Sequence, residues 1–338
     1  MDPLAGGSAT QAEPGRPARA HASAFSHTAA AVHTTDELVA VAAAAVEEGL
    51  RRGDLPVLAL TPEVAEAVRR TIGASAGQVQ DDQRICLRGV RAPDALVVTR
   101  RLLERARAGG SGRLRIVAEP QWGTDPLRWR EVRRYESVSN ALMARAPVTA
   151  LCLYDRERLP AQLVAAARQT HPELLMGGIR VTSSDYHRPE LYLRELARVR
   201  EPVEEGRPAF AVDGVPTLPA LRGALRQVLA QRVPDEDQRA DLHLAVSEVA
   251  ANAFRHGRPP VSARVWADDT RVVCAVTDSG RSFDDPLAGF LPAHGDDLAA
   301  GGMGLWLARK LWDSVDLVPG PAGLTVRLAT ALVRPPAG

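Results

Sequence analysis

Three short stretches of this sequence carry side chains whose spacing could do chemistry. In "DLHLAVSEVAANAFRHG", residues 241–257, Leu242, Val246, Val249 and Ala253 recur at helical spacing and form a buried stripe. Glu248 and Asn252 lie four apart, so they share one face at the rim of that stripe. A carboxylate and an amide oxygen set together there can orient a water and hold Mg²⁺ beside phosphates. A solvated polar face is the alternative for this pair taken alone, and His256 with Gly257 reads as a helix-end histidine and its C′ glycine. In "AVTDSGRSF", Asp278 ends an apolar strand and Gly280 follows it. An acceptor-only carboxylate can take the exocyclic amine of adenine, and a glycine lets the base approach the backbone. A plain turn leaving a strand is the alternative. In "GGMGLWLARKLWDSV", residues 301–315, Gly301, Gly302 and Gly304 open a helix, where bare N–H groups and the helix dipole favour a phosphate.

The familiar lysine-dependent phosphate sites are excluded. Lys310 is the single lysine among 42 basic residues, and it stands between Arg309 and Leu311. A Walker motif and the strand lysine of protein kinases are therefore absent. A Rossmann fingerprint fits poorly, because "LPAHGDDLAA" before Gly301 does not read as a strand. Any phosphate here rests on backbone N–H groups alone.

The elements that must position these residues fall into two patterns. Residues 1–22 are rich in Ala, Gly, Pro and polar residues, and a disordered tail is expected. Between 23 and 181, strands alternate with helices: a Thr34/Glu37 capping box opens a helix, then "LPVLAL" (55–60), a helix to about 73, "ICLRG", a helix over 93–109, "RLRIVAE" (113–119), a helix over 126–144, "VTALCLYD" (148–155) and a helix over 159–170. That grammar predicts an α/β fold with a doubly wound parallel sheet. Residues 182–206 are Arg-, Glu- and Pro-rich and are expected to be a linker with one short helix. From 207 to 333 come helices over 217–231 and 237–254, a hairpin of "VSARVWAD" and "RVVCAVTD", the opening helix, and a hairpin of "SVDLV" and "LTVRLAT". This second pattern predicts α+β, with helices on one face of a mostly antiparallel sheet.

Composition bounds the rest. A net charge of +1 gives no global pull toward nucleic acid or an anionic membrane. Cys86, Cys152 and Cys274 lie far apart with no C-x-x-C, which argues against a zinc site or a disulfide framework, and Cys152 and Cys274 read as small buried hydrophobes. No stretch approaches about 18 consecutive apolar residues and no leader is visible, so a cytoplasmic location is expected.

The order E-x-x-x-N (Glu248, Asn252), D-x-G (Asp278, Gly280) with Phe283 close by, and G-G-x-G-L (Gly302, Gly304, Leu305) resembles the N, G1 and G2 boxes of the GHKL ATPases, the gyrase, Hsp90 and histidine-kinase superfamily. "DLHLAVSEVAANAFRHG" and "GLWLARKLWD" look most like its anti-sigma-factor branch of serine/threonine kinases, over about 207–332. The resemblance implies a Bergerat-type sandwich that binds ATP with Mg²⁺. Glu248 would be the catalytic base and Asn252 the metal ligand. Asp278, Gly280 and Thr325 would hold adenine, while Gly302, Gly304 and Leu305 would wrap the phosphates under a lid formed by 281–300. It implies as partners a sigma factor and a STAS-domain anti-anti-sigma protein, and a homodimer, which relatives of this branch tend to form. Ser282 stands where the family's G1 box has a second glycine, which keeps a nucleotide-gated binding module without transfer chemistry as one alternative. A histidine kinase is the other, although no upstream helix carries an exposed acceptor His. "VEEGLRRGDLPVLAL", "YESVSNALM", "LCLYDRERLP" and "THPELLMGG" resemble the MEDS sensory domain, a RecA-like module without a P-loop, over about 23–180. That resemblance implies a sensor of small organic molecules, with Tyr154, Asp155 and His171 on its motifs.

Overall fold

The computed structural model describes residues 25–281, 283–292 and 303–333. The first half builds β1 (Ser26–Val32), α1 (Thr35–Arg52), β2 (Leu55–Ala59), α2 (Pro62–Ile72), β3 (Gln80–Asp81), α3 (Ala92–Arg107), β4 (Leu114–Ala118), α4 (Pro126–Leu142), β5 (Val148–Asp155), α5 (Ala161–Thr170), β6 (Glu173–Met176) and β7 (Ile179–Thr182). Their sheet runs β3-β2-β4-β5-β1-β6-β7, parallel throughout except for the β6–β7 hairpin. Strand β5 is buried at every position, as a strand covered on both faces must be. Ala150, Cys152 and Tyr154 face a core shared with α3, α4 and α5, whereas Leu151 and Leu153 face α1 and α2. The sheet is doubly wound, as its sequence pattern predicts.

Local chemistry sets the boundaries. Thr34 Oγ1 accepts the Glu37 N–H at 3.1 Å, but the Glu37 carboxylate accepts from His33 rather than from Thr34, so the capping box is displaced by one residue. "ICLRG" is not a strand. Asp82 accepts the Arg84 N–H at 3.1 Å and caps a 3₁₀ turn over Gln83–Cys86, and this local side-chain bond wins over extension.

The expected linker is folded. It holds α6 (Pro189–Ala197), whose Tyr192, Leu193 and Leu196 are buried and which packs on α4, followed by a 3₁₀ turn over Pro202–Glu205. The second half then builds β8 (Phe210–Val215), α7 (Leu218–Arg232), α8 (Glu236–Arg255), β9 (Val261–Ala267), β10 (Arg271–Asp278), α9 (Gly304–Leu311), β11 (Ser314–Gly320) and β12 (Gly323–Ala331). The sheet order is β11-β12-β10-β9-β8, all antiparallel. Strand β8 has no counterpart in the sequence reading, since it carries Asp213 and Gly214 and its register shifts between Val212 and Val215.

Strand β10 explains how the two halves meet. Val272, Cys274 and Val276 pack against α7, α8 and α9, while Val273 and Ala275 lie with Trp266, Ala329 and Leu127 of α4. Both faces of this antiparallel sheet are therefore covered. That is the physical reason "RVVCAV" lacks polar alternation.

Candidate functional site

Helix α8 begins at Asp235, whose carboxylate accepts the Gln238 N–H at 2.7 Å. About three and a half and five turns later, its half-buried rim carries Glu248 and Asn252 toward the start of α9. A Cβ on Gly304, the first residue of α9, would sit 2.8 Å from Asn252 Nδ2 and 3.4 Å from Glu248 Cβ. The missing side chain is what lets the N-terminus of α9 reach both residues. Glu248 Oε1 lies 3.5 Å from an Arg222 guanidinium nitrogen on α7, in a half-exposed ion pair.

Asp278, the last residue of β10, is buried. Its Oδ1 accepts the Gly280 N–H at 2.7 Å and the Arg258 N–H at 3.3 Å. Two glycines face this carboxylate. A Cβ on Gly280 would lie 2.6 Å from Oδ1, and one on Gly257 would collide with the Asp278 carboxyl group and the Ala253 carbonyl. Gly257 is therefore not the left-handed C′ glycine of α8: the cap is His256 at φ −116°, and Gly257 has no positive φ. It is required by close approach instead.

Asn252, His256, Asp278, Phe283, Leu305 and Leu324 are among the residues lining one cavity of about 740 Å³, which Gly280 also borders. Such a volume accommodates a small-molecule ligand. A buried acceptor, two bare Cα atoms beside it and the first turn of α9 in the same wall fit an adenine nucleotide.

Thr325 is a correction. In the β10–β12 ladder Thr277 opposes Thr325 and Asp278 opposes Leu324, and opposed residues share a face. The Thr325 hydroxyl is 2.8 Å from that of Thr277, on the face that carries Ala275, Trp266 and Arg327. The cavity-facing residue is Leu324, because strand phase is set by pairing register and not by local spacing. His256 is the C-cap of α8, as expected, and also lines the cavity.

The expected lid is anchored over part of its length. Phe290 is 1% exposed in the core of the first half, and the Arg309 guanidinium of α9 stacks on its ring at 3.9 Å. Arg309 Nε donates to Ala288 O at 2.9 Å and Nη1 donates to Val315 O at 2.8 Å. Burial pushes the Arg309 pKa down to about 9. Ser282, Gly301 and Gly302, together with 293–300, lie outside the described residues.

A family model described as the histidine kinase-like ATPase domain matches residues 215–330, and one described as MEDS, the methanogen/methylotroph DcmR sensory domain, matches residues 26–172. Serine-protein kinase RsbW of Bacillus subtilis is 35% identical over 133 residues, which cover 35% of this chain and 82% of that relative. The chain belongs to the RsbW family of histidine kinase-like ATPases. RsbW of Bacillus velezensis is 36% identical over 107 residues, 28% of this chain and 66% of the relative, and RsbW of Bacillus pumilus is 36% identical over 107 residues, 28% and 65%. The RsbW-like part is joined to a MEDS domain, and no helix among the described residues is long and apolar enough to cross a membrane.

Proposed function

We propose that this chain is an ATP-dependent serine kinase and anti-sigma factor of the cytoplasm, a homodimer that phosphorylates a STAS-domain antagonist and binds a sigma factor. Its MEDS domain would tune that activity in response to a small organic molecule. The observation that carries the reading is the buried Asp278, flanked by Gly257 and Gly280, in a cavity also lined by Asn252 and by Leu305 of the first turn of α9, where Gly304 packs on Asn252. The RsbW relatives support the choice of serine as acceptor.

Asp278 accepts the exocyclic amine of adenine, with Gly280 giving the base access to the backbone. Leu305 packs at the cavity wall, Asn252 is the protein ligand to Mg²⁺, and the N–H groups of Gly302 and Gly304 hold phosphate oxygens. When bound, Mg-ATP supplies the phosphoryl group and the charge that the site must stabilise. Glu248 accepts the proton of the incoming serine hydroxyl, and its pairing with Arg222 restrains the carboxylate on the α8 rim.

Calorimetry and phosphotransfer assays test this. Asn252→Ala should abolish Mg-ATP binding, and unchanged affinity would remove Asn252 from the site. Glu248→Ala should still bind ATP yet lose on the order of 10²–10⁴ in transfer rate to a STAS partner. The phosphate on that partner should survive acid. An acid-labile label kept on this chain would establish a histidine kinase instead, and ATP binding without transfer to any STAS partner would establish a binding module.

A further inference from the structure

One side-chain cluster lies far from the nucleotide cavity. His27 of β1, Glu136 of α4, Cys152 of β5 and His171, which follows α5, are all buried, and one ligand atom from each lies within 4.8 Å of all the others. Among the described residues this is the single group of three or more His, Cys, Asp or Glu side chains so arranged. The β1–β5 register creates half of it: Ala29 opposes Cys152 and Ala150 opposes His27, so His27 and Cys152 share a face one step apart.

The hydrogen bonds around the cluster fix which atoms point inward. Asn140 donates to the carbonyls of Glu136, Ser137 and Thr170, which leaves its Oδ1 to accept from His27 Nδ1 at 3.0 Å. The Ala167 carbonyl accepts from His171 Nδ1 at 3.0 Å. With both Nδ1 atoms acting as donors, each neutral ring turns the lone pair of Nε2 toward Glu136. His27 Nε2 is 3.1 Å and His171 Nε2 is 3.4 Å from the same carboxylate oxygen, and the Cys152 sulfur is 3.4 Å from His27 Nε2 and 3.6 Å from that oxygen. His171 Nε2 has no hydrogen-bond partner. Three acceptors thus converge in a dry interior with one thiol hydrogen among them, an arrangement that calls for a cation.

We propose that these four residues bind one divalent transition-metal ion of the zinc class. Zinc ligands at about 2.0–2.3 Å in a tetrahedron stand roughly 3.3–3.8 Å apart. Four of the contacts here are 3.1–3.6 Å and all the ligand atoms lie within 4.8 Å, so small side-chain shifts would close the shell. Two imidazoles, a thiolate and a carboxylate form a donor set suited to zinc rather than to Mg²⁺ or Ca²⁺. Charge balances as well: the ion enters as 2+, the Cys152 thiol releases its proton to solvent, and the thiolate with the Glu136 carboxylate makes the buried assembly neutral. Asn140 and the Ala167 carbonyl are the outer partners that hold the imidazoles in place. His27 also borders a cavity of about 540 Å³ at the N-terminal ends of β1, β4 and β5, which gives the ion a route in.

The full chain, stripped with a chelator, is titrated with Co²⁺ and separately with Zn²⁺. One ion per chain is expected, and the Co²⁺ form should show the intense visible bands of a tetrahedral site and a sulfur-to-metal charge-transfer band. That band should vanish in Cys152→Ser and persist in Cys274→Ser. Should Cys152→Ser fail to fold, X-ray absorption of the Zn²⁺-loaded wild type decides, with one sulfur near about 2.3 Å and nitrogen or oxygen near about 2.0–2.1 Å expected. No stoichiometric uptake by the wild type, a first shell without sulfur, or a band unchanged in Cys152→Ser would overturn the proposal.

Discussion

Asp278 does two jobs with one carboxylate. Its Oδ1 accepts the Gly280 N–H in its own turn and the Arg258 N–H just after α8, which ties the end of β10 to that segment, while the group also faces the cavity. Asp278→Asn replaces an acceptor-only group with an amide that can present N–H to a ligand. ATP should then bind more weakly and its preference over GTP should erode, as read by paired nucleotide titrations; an unchanged base preference would exclude the adenine role. Thr325→Val, on the other face of the sheet, should leave ATP affinity unchanged in the same titration. The contrast shows what was legible at this scale. Asp278 with Gly280, two apart, and Glu248 with Asn252, four apart on a helix, can be picked out as candidates from local spacing alone. Thr325 misleads because a strand residue one step out of phase faces the opposite side. The metal cluster was invisible, and Cys152 read as a plain hydrophobe, because residues 27, 136, 152 and 171 share no spacing and meet only through sheet register.

At the scale of elements, α9 is held in place by the turn that precedes it in sequence. Gly289 at φ +81° passes so close to α9 that a Cβ would stand 2.7 Å from the Leu305 carbonyl carbon, and Phe290 then inserts beside Arg309. The ring is what brings an arginine stem into a buried site with its charge satisfied by two carbonyls. Phe290→Ala should therefore destabilise the full chain by about 3–5 kcal/mol in urea denaturation, the range for large-to-small changes in a core. Because Leu287, Leu305 and Gly289 also line the nucleotide cavity, the same variant should weaken ATP binding. Loss of stability with unchanged affinity would separate the anchor from the site. The helices and hairpins themselves were readable from caps and periodicity, within a few residues. The destination of Phe290 was not, since an aromatic in a polar stretch gives no sign that its pocket belongs to another sheet.

Across the whole molecule, the two sheets are joined by buried charge. Arg134 of α4, 2% exposed, bonds to Ser314 Oγ at 3.1 Å and pairs with Asp316 of β11, and Arg327 of β12 pairs with Asp316 at 2.6 Å while donating to the carbonyls of Ala197 and Val199. Arg271 of β10 continues the network to Asp125 at 2.8 Å and to Glu201, which Arg130 also holds. Removing one member of such a network leaves its partners charged in a low-dielectric interior, at a cost of about 3–5 kcal/mol. Asp316→Ala takes a carboxylate from Arg134, which keeps Glu131, and from Arg327, which keeps Glu204 and two backbone carbonyls, so denaturation should lose up to about 3–5 kcal/mol and split into two transitions, one for each half. Burial alone would raise the Asp316 pKa, but Arg134, Arg130 and Arg327 outweigh it and hold the carboxyl below its ordinary 3.8. A carboxyl lowered on folding binds protons more readily when unfolded, so its contribution is full above the ordinary carboxylate range and is lost as pH falls through the folded value. Asp313, lowered by Arg91 and by bonds from Thr330 and Ala331 against the same pull of burial, adds to the trend. Wild-type stability should consequently drop as pH is taken below about 4, more steeply than that of Asp316→Ala. Parallel pH profiles for the two proteins would remove Asp316 from the coupling between the sheets.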